Sequence, residues 1–162
     1  FFIYTKIVLQ NTHETYTCIS NLAYNKDMQN LQYEQMNGLS LAYIGDAIYE
    51  LEVRQHLLSL GLTKVNDLQK HSKHYVSAKA HAALFACMIT DSLLTDNELI
   101  YFKRGRNAKS HTKAKNTDVV TYRISTGIEA LFGFLHLSGQ PERISELMKW
   151  VFEQVESGRT SK

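Results

Sequence analysis

SLAYIGDAIYELEVRQHLLSL, residues 40–60, places Asp46 inside a helical stretch too apolar for an isolated charge. Leu41, Ile44, Ile48, Leu51 and Leu58 recur as one apolar stripe, and Ala42, Tyr49, Val53 and Leu57 as a second on the opposite side. Asp46 falls on the second side, with Glu50 one turn later. A helix apolar on two sides is buried on two sides, one against its own core and the other against a partner subunit. A charge in such surroundings is costly unless it is paired or holds a metal. Gly45 costs the helix about 1 kcal/mol relative to Ala, which the close approach of a neighbouring backbone would explain.

The second long apolar stretch is DVVTYRISTGIEALFGFLHLS, residues 118–138. Tyr122, Ser125, Thr126, Glu129 and Gly133 share one of its faces. Glu129 is thus flanked by small or hydroxylated groups, and that face can admit solvent, metal and substrate. Packing of the two helices through Gly45 and Gly133 would let Asp46 and Glu129 converge. Mg²⁺ is commonly held by one or two carboxylates, several waters and substrate phosphate oxygens, so two acids suffice. The plainer alternative is structural: buried acids are often satisfied by Arg, and Arg54 and Arg123 are available.

Between these helices lies KRGRNAKSHTKAK, residues 103–115, holding six of the 18 Lys and Arg of the chain with no acid among them. The net charge of +2 says little, but this clustering suits phosphate. Gly105, Asn107 and Ser110 add accessible backbone N–H groups, although a solvated basic loop is an ordinary feature. Lys70, Lys73 and Lys79 extend the basic surface, and His71 and His74 read as surface residues. Tyr75 and Trp150 read as packing groups rather than base-stacking ones.

The 162 residues are 44% hydrophobic with one proline, enough for one folded domain. Cys18 and Cys87 form no metal-ligand spacing, and a reducing compartment fits better than a disulfide framework. No run approaches the ~18 apolar residues of a membrane span. Residues 1–30 contain no Arg, against an organellar transit peptide. Residues 1–9 suggest a short strand, residues 10–37 a loop or weak helix, and residues 1–36 together an extension or a misassigned start.

Helix signals begin at Asn37. Ser40 is the expected N-cap of the first helix and Gly61 its C′ residue. Thr63 is expected to cap a helix over 64–74 and Ser77 one over 78–90. Thr95 and Glu98 form a capping box opening a helix through about Lys103, and 104–116 reads as a loop. Thr117 is expected to cap the second long helix, which Gly139 ends; Pro141 starts an amphipathic last helix. The fold class is all-α with about six helices, and the tail 157–162 is loose.

LSLAYIGDAIYE, residues 39–50, resembles the signature helix of the ribonuclease III family, whose core reads Leu-Gly-Asp-Ala. IEALFGFLHL, residues 128–137, resembles that family's second acidic motif. YVSAKAHA at 75–82 and the segment 102–139 are similar to the short bacterial branch without a double-stranded-RNA-binding domain, Mini-ribonuclease III. The resemblance covers residues 37–156 and implies a cytoplasmic, homodimeric endonuclease cutting double-stranded RNA with Mg²⁺. It places Asp46 and Glu129 as catalytic metal ligands. The basic clustering, not the resemblance, makes Lys73, Lys79, Lys103, Arg104, Arg106, Asn107, Lys109, Lys113 and Lys115 the expected RNA-binding residues. Tyr122 and Thr126 are weaker candidates for hydrogen-bond partners of the acids. Two carboxylates of the wider family are absent: Ala42 and Thr126 stand where it has Glu and Asp, a reduced pattern for which the branch is known. The implied role is trimming the base-paired ends of large-subunit ribosomal RNA precursors, with a ribosomal protein as a candidate partner that presents the stem.

Two rivals remain at the level of sequence. One is a non-catalytic RNA-binding or ribosome-associated scaffold that keeps the fold. The other is a helical protein-interaction module, which would show no salt-sensitive duplex binding.

Overall fold

The computed structural model describes residues 32–109 and 118–160. The expected strand at 1–9, residues 10–31 of the following segment, Lys113 and Lys115 lie outside the described residues. Among the described residues the fold is all-α. A 3-10 turn at Tyr33–Gln35 precedes α1 (Gly38–Ser59), α2 (Val65–Val76), α3 (Ala78–Thr90), α4 (Asp96–Arg106), α5 (Val119–Leu137) and α6 (Pro141–Glu156).

The two long helices α1 and α5 pack along each other, and α3, α4 and α6 also lie against α5. The central position of α5 explains its composition: Ser125–Ile128 and Ala130–Leu135 are all buried. On α1 the buried line is Leu41, Ala42, Gly45, Tyr49, Val53 and Leu57. The second predicted stripe is therefore the core face, joined by Leu41. Of the rest of the first stripe, Ile44 and Ile48 are half-buried, with Ile48 packed against the core, while Leu51 (50% exposed) and Leu58 (54% exposed) face outward.

The α1–α5 contact runs through the two glycines singled out by the sequence. A Cβ on Gly45 would lie 1.7 Å from the Glu129 carbonyl oxygen, and one on Gly133 would lie 2.0 Å from that of Leu41. Both obstacles are backbone, so no side chain larger than hydrogen fits without parting the helices.

Helix ends follow local chemistry, with three corrections. Asn37 rather than Ser40 caps α1: its Oδ1 accepts from the Ser40 N–H at 2.9 Å, which places Ser40 inside the first turn. Lys64 occupies the N-cap of α2 without a side-chain bond, so Thr63 is not the cap. Asp118 caps α5 by accepting from the Val120 and Thr121 N–H groups, displacing the expected Thr117. The Ser77 cap, the Thr95–Glu98 capping box and Pro141 at the start of α6 are as expected. Gly61 (φ +84°) and Gly139 (φ +71°) adopt the left-handed conformation that ends α1 and α5.

Residues 33–36 belong to the helical body. The Tyr33 ring packs on Tyr101 and Phe134, and Arg104 Nη1 donates to the carbonyls of Glu34 (2.7 Å) and Met36 (3.3 Å). Tyr75 is buried and Trp150 packs partly buried against the core, as expected of packing residues.

The least exposed carboxylate among the described residues, Glu98, is structural. Glu98 accepts from Arg143 Nε (2.7 Å), Arg143 Nη2 (3.1 Å) and the Thr95 N–H (2.8 Å), and Arg143 also donates to the Leu93 carbonyl. Burial pushes Glu98 up, but these bonds outweigh it and hold its carboxyl below the ordinary Glu value. The stability it contributes is thus present above that value and lost as pH falls through the lowered one. Glu98→Ala is expected to cost about 2 kcal/mol at neutral pH, because half-enclosed Arg143 loses two charge-assisted bonds and keeps Glu146 as its remaining acidic partner. A lower urea midpoint with an unchanged slope would register it.

Candidate active site

Asp46 is carried by α1 and Glu129 by α5, each beside the glycine contact that joins the helices. Gly45 precedes Asp46 directly and abuts the backbone of Glu129 itself. The two carboxyls consequently sense each other. Glu129 is pushed up to about 7, first by burial and then by the Asp46 charge, with the Ser125 hydroxyl opposing. Asp46 is raised above the ordinary Asp range by partial burial and by Glu50, with Arg54 opposing.

One expectation is corrected. Asp46 is an exposed residue and Glu129 a half-buried one. The buried line of α1 passes through Gly45 and Tyr49, and Asp46 sits one helical step round from it, at the edge of the contact. Arg54 is not the partner of Asp46; it pairs with Glu50. Arg123 is exposed. In contrast to Glu98, neither Asp46 nor Glu129 has a cationic partner among the described residues.

Around Glu129, Ser125 supplies the hydrogen bond. Its Oγ donates to Glu129 Oε1 at 3.1 Å and lies 2.8 Å from His81 Nδ1. His81 is 2% exposed, and burial pushes its ring down to about 4, so it is neutral at physiological pH. Sequence reasoning noted Ser125 on the correct face but missed His81, which comes from α3. Thr126 turns away from the acid: its hydroxyl donates to the Tyr122 carbonyl at 3.2 Å, one turn back on the same helix. Tyr122 is half-buried.

The donor set fits Mg²⁺. It consists of hard carboxylate oxygens whose mutual repulsion a divalent cation would relieve. Among the described residues no group of three or more His, Cys, Asp or Glu could share a metal, so the site rests on two acids. Ala42 and Thr126, both buried, supply no further carboxylate.

The basic residues divide into two groups. Lys103, Arg106, Asn107 and Lys109 are exposed at the end of α4 and just beyond it. This corrects the expected loop: α4 runs through Arg106, and Asn107 is its C-cap. Arg104 is committed to the fold, with its guanidinium 4.6 Å from the Tyr101 ring centroid and bonded to the 33–37 segment. It shares a groove with Asn37, Gly38, Ser40, Tyr43 and Lys109 at the start of α1. Lys73 and Lys79 instead line a groove of about 980 Å³ with Leu57, Leu60 and Leu62 at the far end of α1. At 1.5 Å per residue the two ends of the 22-residue α1 are about 32 Å apart. His71 and His74 are exposed there, as expected of surface residues.

Two acids meet where α1 and α5 pack, and α4, which packs on the same α5, ends in exposed basic residues; comparison with known proteins gives the class. The Ribonuclease III domain family matches residues 39–140, and the chain belongs to the ribonuclease III family. Within that family it is similar to Mini-ribonuclease 3 of Enterococcus faecalis, 56% identical over 76% of this chain and 93% of that protein. Mini-ribonuclease 3 of Streptococcus pneumoniae is 50% identical over 75% of this chain and 94% of its own length. The corresponding protein of Staphylococcus aureus is 46% identical over 75% and 91%. A crystal structure of a Fusobacterium nucleatum protein superposes with a TM-score of 0.64 at 31% identity, covering 74% of this chain and 93% of that one. The protein is an endoribonuclease of the Mini-ribonuclease 3 branch. None of its helices among the described residues is long and apolar enough to cross a membrane.

Proposed function

We propose that this endoribonuclease cuts double-stranded RNA in a Mg²⁺-dependent reaction, with Asp46 and Glu129 as the catalytic metal ligands. The observation that carries this reading is the Gly45–Glu129 contact, which sets two mutually repelling carboxyls beside each other with no ion-pair partner among the described residues. Bound Mg²⁺ would supply charge neutralisation at the scissile phosphate and lower the pKa of a water. The residues of the chain hold and orient the reactants. Asp46 and Glu129 present ionised oxygens, and the Ser125 hydroxyl favours the ionised form of Glu129 by donating to it.

RNA duplexes offer phosphates, 2′-hydroxyls and shape rather than base edges. Lys103, Arg106, Asn107 and Lys109 suit phosphate contact because they are exposed. Lys73 and Lys79 form a second basic region, and Lys113 and Lys115 continue the α4 group in sequence. Cutting both strands requires two sites related by a two-fold axis. The outer face of α1 supports a homodimer. It carries Leu39, Tyr43, Leu51 and Leu58, with Tyr43 84% exposed in the single chain. The substrate we infer is the base-paired stem joining the ends of large-subunit ribosomal RNA precursor, in the cytoplasm, presented by a ribosomal protein.

The test is incubation of end-labelled precursor stem with the protein, in Mg²⁺ and in EDTA. Paired cuts in both strands that need Mg²⁺ support the reading; binding without cleavage in any divalent metal would overturn it. A separate expectation concerns recognition. Reversing Lys103, Arg106 and Lys109 to Glu should lower the slope of log affinity against log salt by about 2 to 3 for a duplex. An unchanged slope would remove this surface from RNA contact.

A further inference from the structure

His81 is the one side chain near the site that the acid pair does not explain. It is buried at 2% exposure, its ring stands edge-on to Tyr49 at 4.8 Å, and Tyr49 is itself fixed by donating to the Tyr75 carbonyl at 3.2 Å. Its Nδ1 lies 2.8 Å from Ser125 Oγ, while its buried Nε2 has no hydrogen-bond partner among the described residues.

Proton counting fixes the direction of this chain. A metal-holding Glu129 is ionised and can only accept, so the single Ser125 proton goes to Glu129 Oε1. The His81 Nδ1 must then donate to Ser125 Oγ. The neutral ring has one N–H, so Nε2 carries the lone pair. An N–H at Nε2 would be a buried donor without an acceptor, which also disfavours the other tautomer. The contact has a further consequence for Ser125. A helical Ser can donate to the carbonyl one turn back, as Thr126 does to Tyr122. Accepting from His81 turns the Ser125 proton toward Glu129 instead.

We propose that His81 is a positioning residue which, through Ser125, locks the Glu129 carboxylate in the orientation that receives the metal. The proposal rests on the reading of Glu129 as a metal ligand. It adds a third helix, α3, to a site otherwise built from α1 and α5. Partners of this kind typically change metal affinity 10- to 100-fold.

The experiment uses the full chain and Mn²⁺ alone as the probe. Mn²⁺ binding is followed by electron paramagnetic resonance for the wild type, Ser125→Ala, His81→Leu, His81→Asn and Glu129→Gln. The ring tautomer of His81 is read by ¹⁵N NMR in the metal-free wild type at pH 9, where Glu129 is ionised. Ser125→Ala and His81→Leu should weaken Mn²⁺ binding by about tenfold or more. His81→Asn, whose amide N–H can replace the Nδ1 donor, should stay within about threefold of wild type. The ring should be the Nδ1–H tautomer. An Nε2–H tautomer, or wild-type affinity in Ser125→Ala, overturns the proposal. If His81→Leu does not fold, the tautomer and Ser125→Ala decide it. Loss of Mn²⁺ in Glu129→Gln with none in Ser125→Ala sinks the positioning role alone. Retention of Mn²⁺ in Glu129→Gln sinks the metal-ligand reading beneath it.

Discussion

Glu129→Gln is expected to abolish cleavage and, in metal-free protein above neutral pH, to make the fold more stable. The activity loss should be at least about 10³-fold, or about 4 kcal/mol of transition-state stabilisation, because Gln keeps the shape but loses the charge that holds a cation. The gain in stability follows from the raised carboxyl. Folding lifts Glu129 to about 7, first through burial and then through Asp46. A group raised on folding contributes stability that is fully present below its unfolded value and lost as pH rises through the folded one. The wild type therefore bears a penalty above pH 7 that Gln does not. Full burial would make it about 3 kcal/mol, and the partial exposure of Glu129 reduces this to about 2. Urea unfolding in EDTA at pH 4, 6 and 8 measures it. The gap between the variant and the wild type should be near zero at pH 4 and widest at pH 8. A gap independent of pH would contradict the assignment of the raised group.

Gly45→Ala is expected to produce the largest structural effect of any glycine-to-alanine change among the described residues. The added carbon would sit 1.7 Å from the Glu129 carbonyl oxygen and 2.5 Å from the Gly133 nitrogen, both backbone atoms inside α5. No rotamer change relieves such a clash, so α1 and α5 must separate. We expect a loss of about 3 kcal/mol or more, at or beyond the upper end for overpacking. The gain in intrinsic helix propensity, about 1 kcal/mol, is too small to offset it. Because the same contact sets Asp46 against Glu129, surviving folded protein should also cleave poorly. Thermal unfolding and duplex cleavage, measured on one preparation, test both parts. A variant of wild-type stability would show that the helices are not held at this distance.

The glycines were legible in the sequence because each is a cost that only tertiary packing repays. The two acids were legible for a related reason, being charges amid apolar periodicity. What periodicity could not resolve was the edge of a face. Ala42, Asp46, Tyr49 and Val53 belong to one side of an ideal helix, yet the buried line runs through Gly45 and leaves Asp46 exposed. Local signals also misplaced the end of α4. Gly105 and Asn107 read as breakers, but Gly105 is buried against the Thr126 carbonyl of α5, and that packing carries the helix to Arg106. Arg104 looked like one more phosphate ligand until its bonds to the 33–37 segment were seen. His81 had no readable signal. It sits in an Ala-rich helix, and its partner Ser125 is 44 positions away. Pairings of that separation are set by topology, to which a local pattern is blind.

The central claim is that Asp46 and Glu129 form one metal site. Mn²⁺ titration of the wild type, Asp46→Asn and Glu129→Gln, with duplex RNA binding in EDTA as the control for folding, tests it most directly. The account predicts that either substitution alone removes Mn²⁺ binding while duplex affinity stays near wild type. Wild-type Mn²⁺ affinity in either folded variant would contradict it.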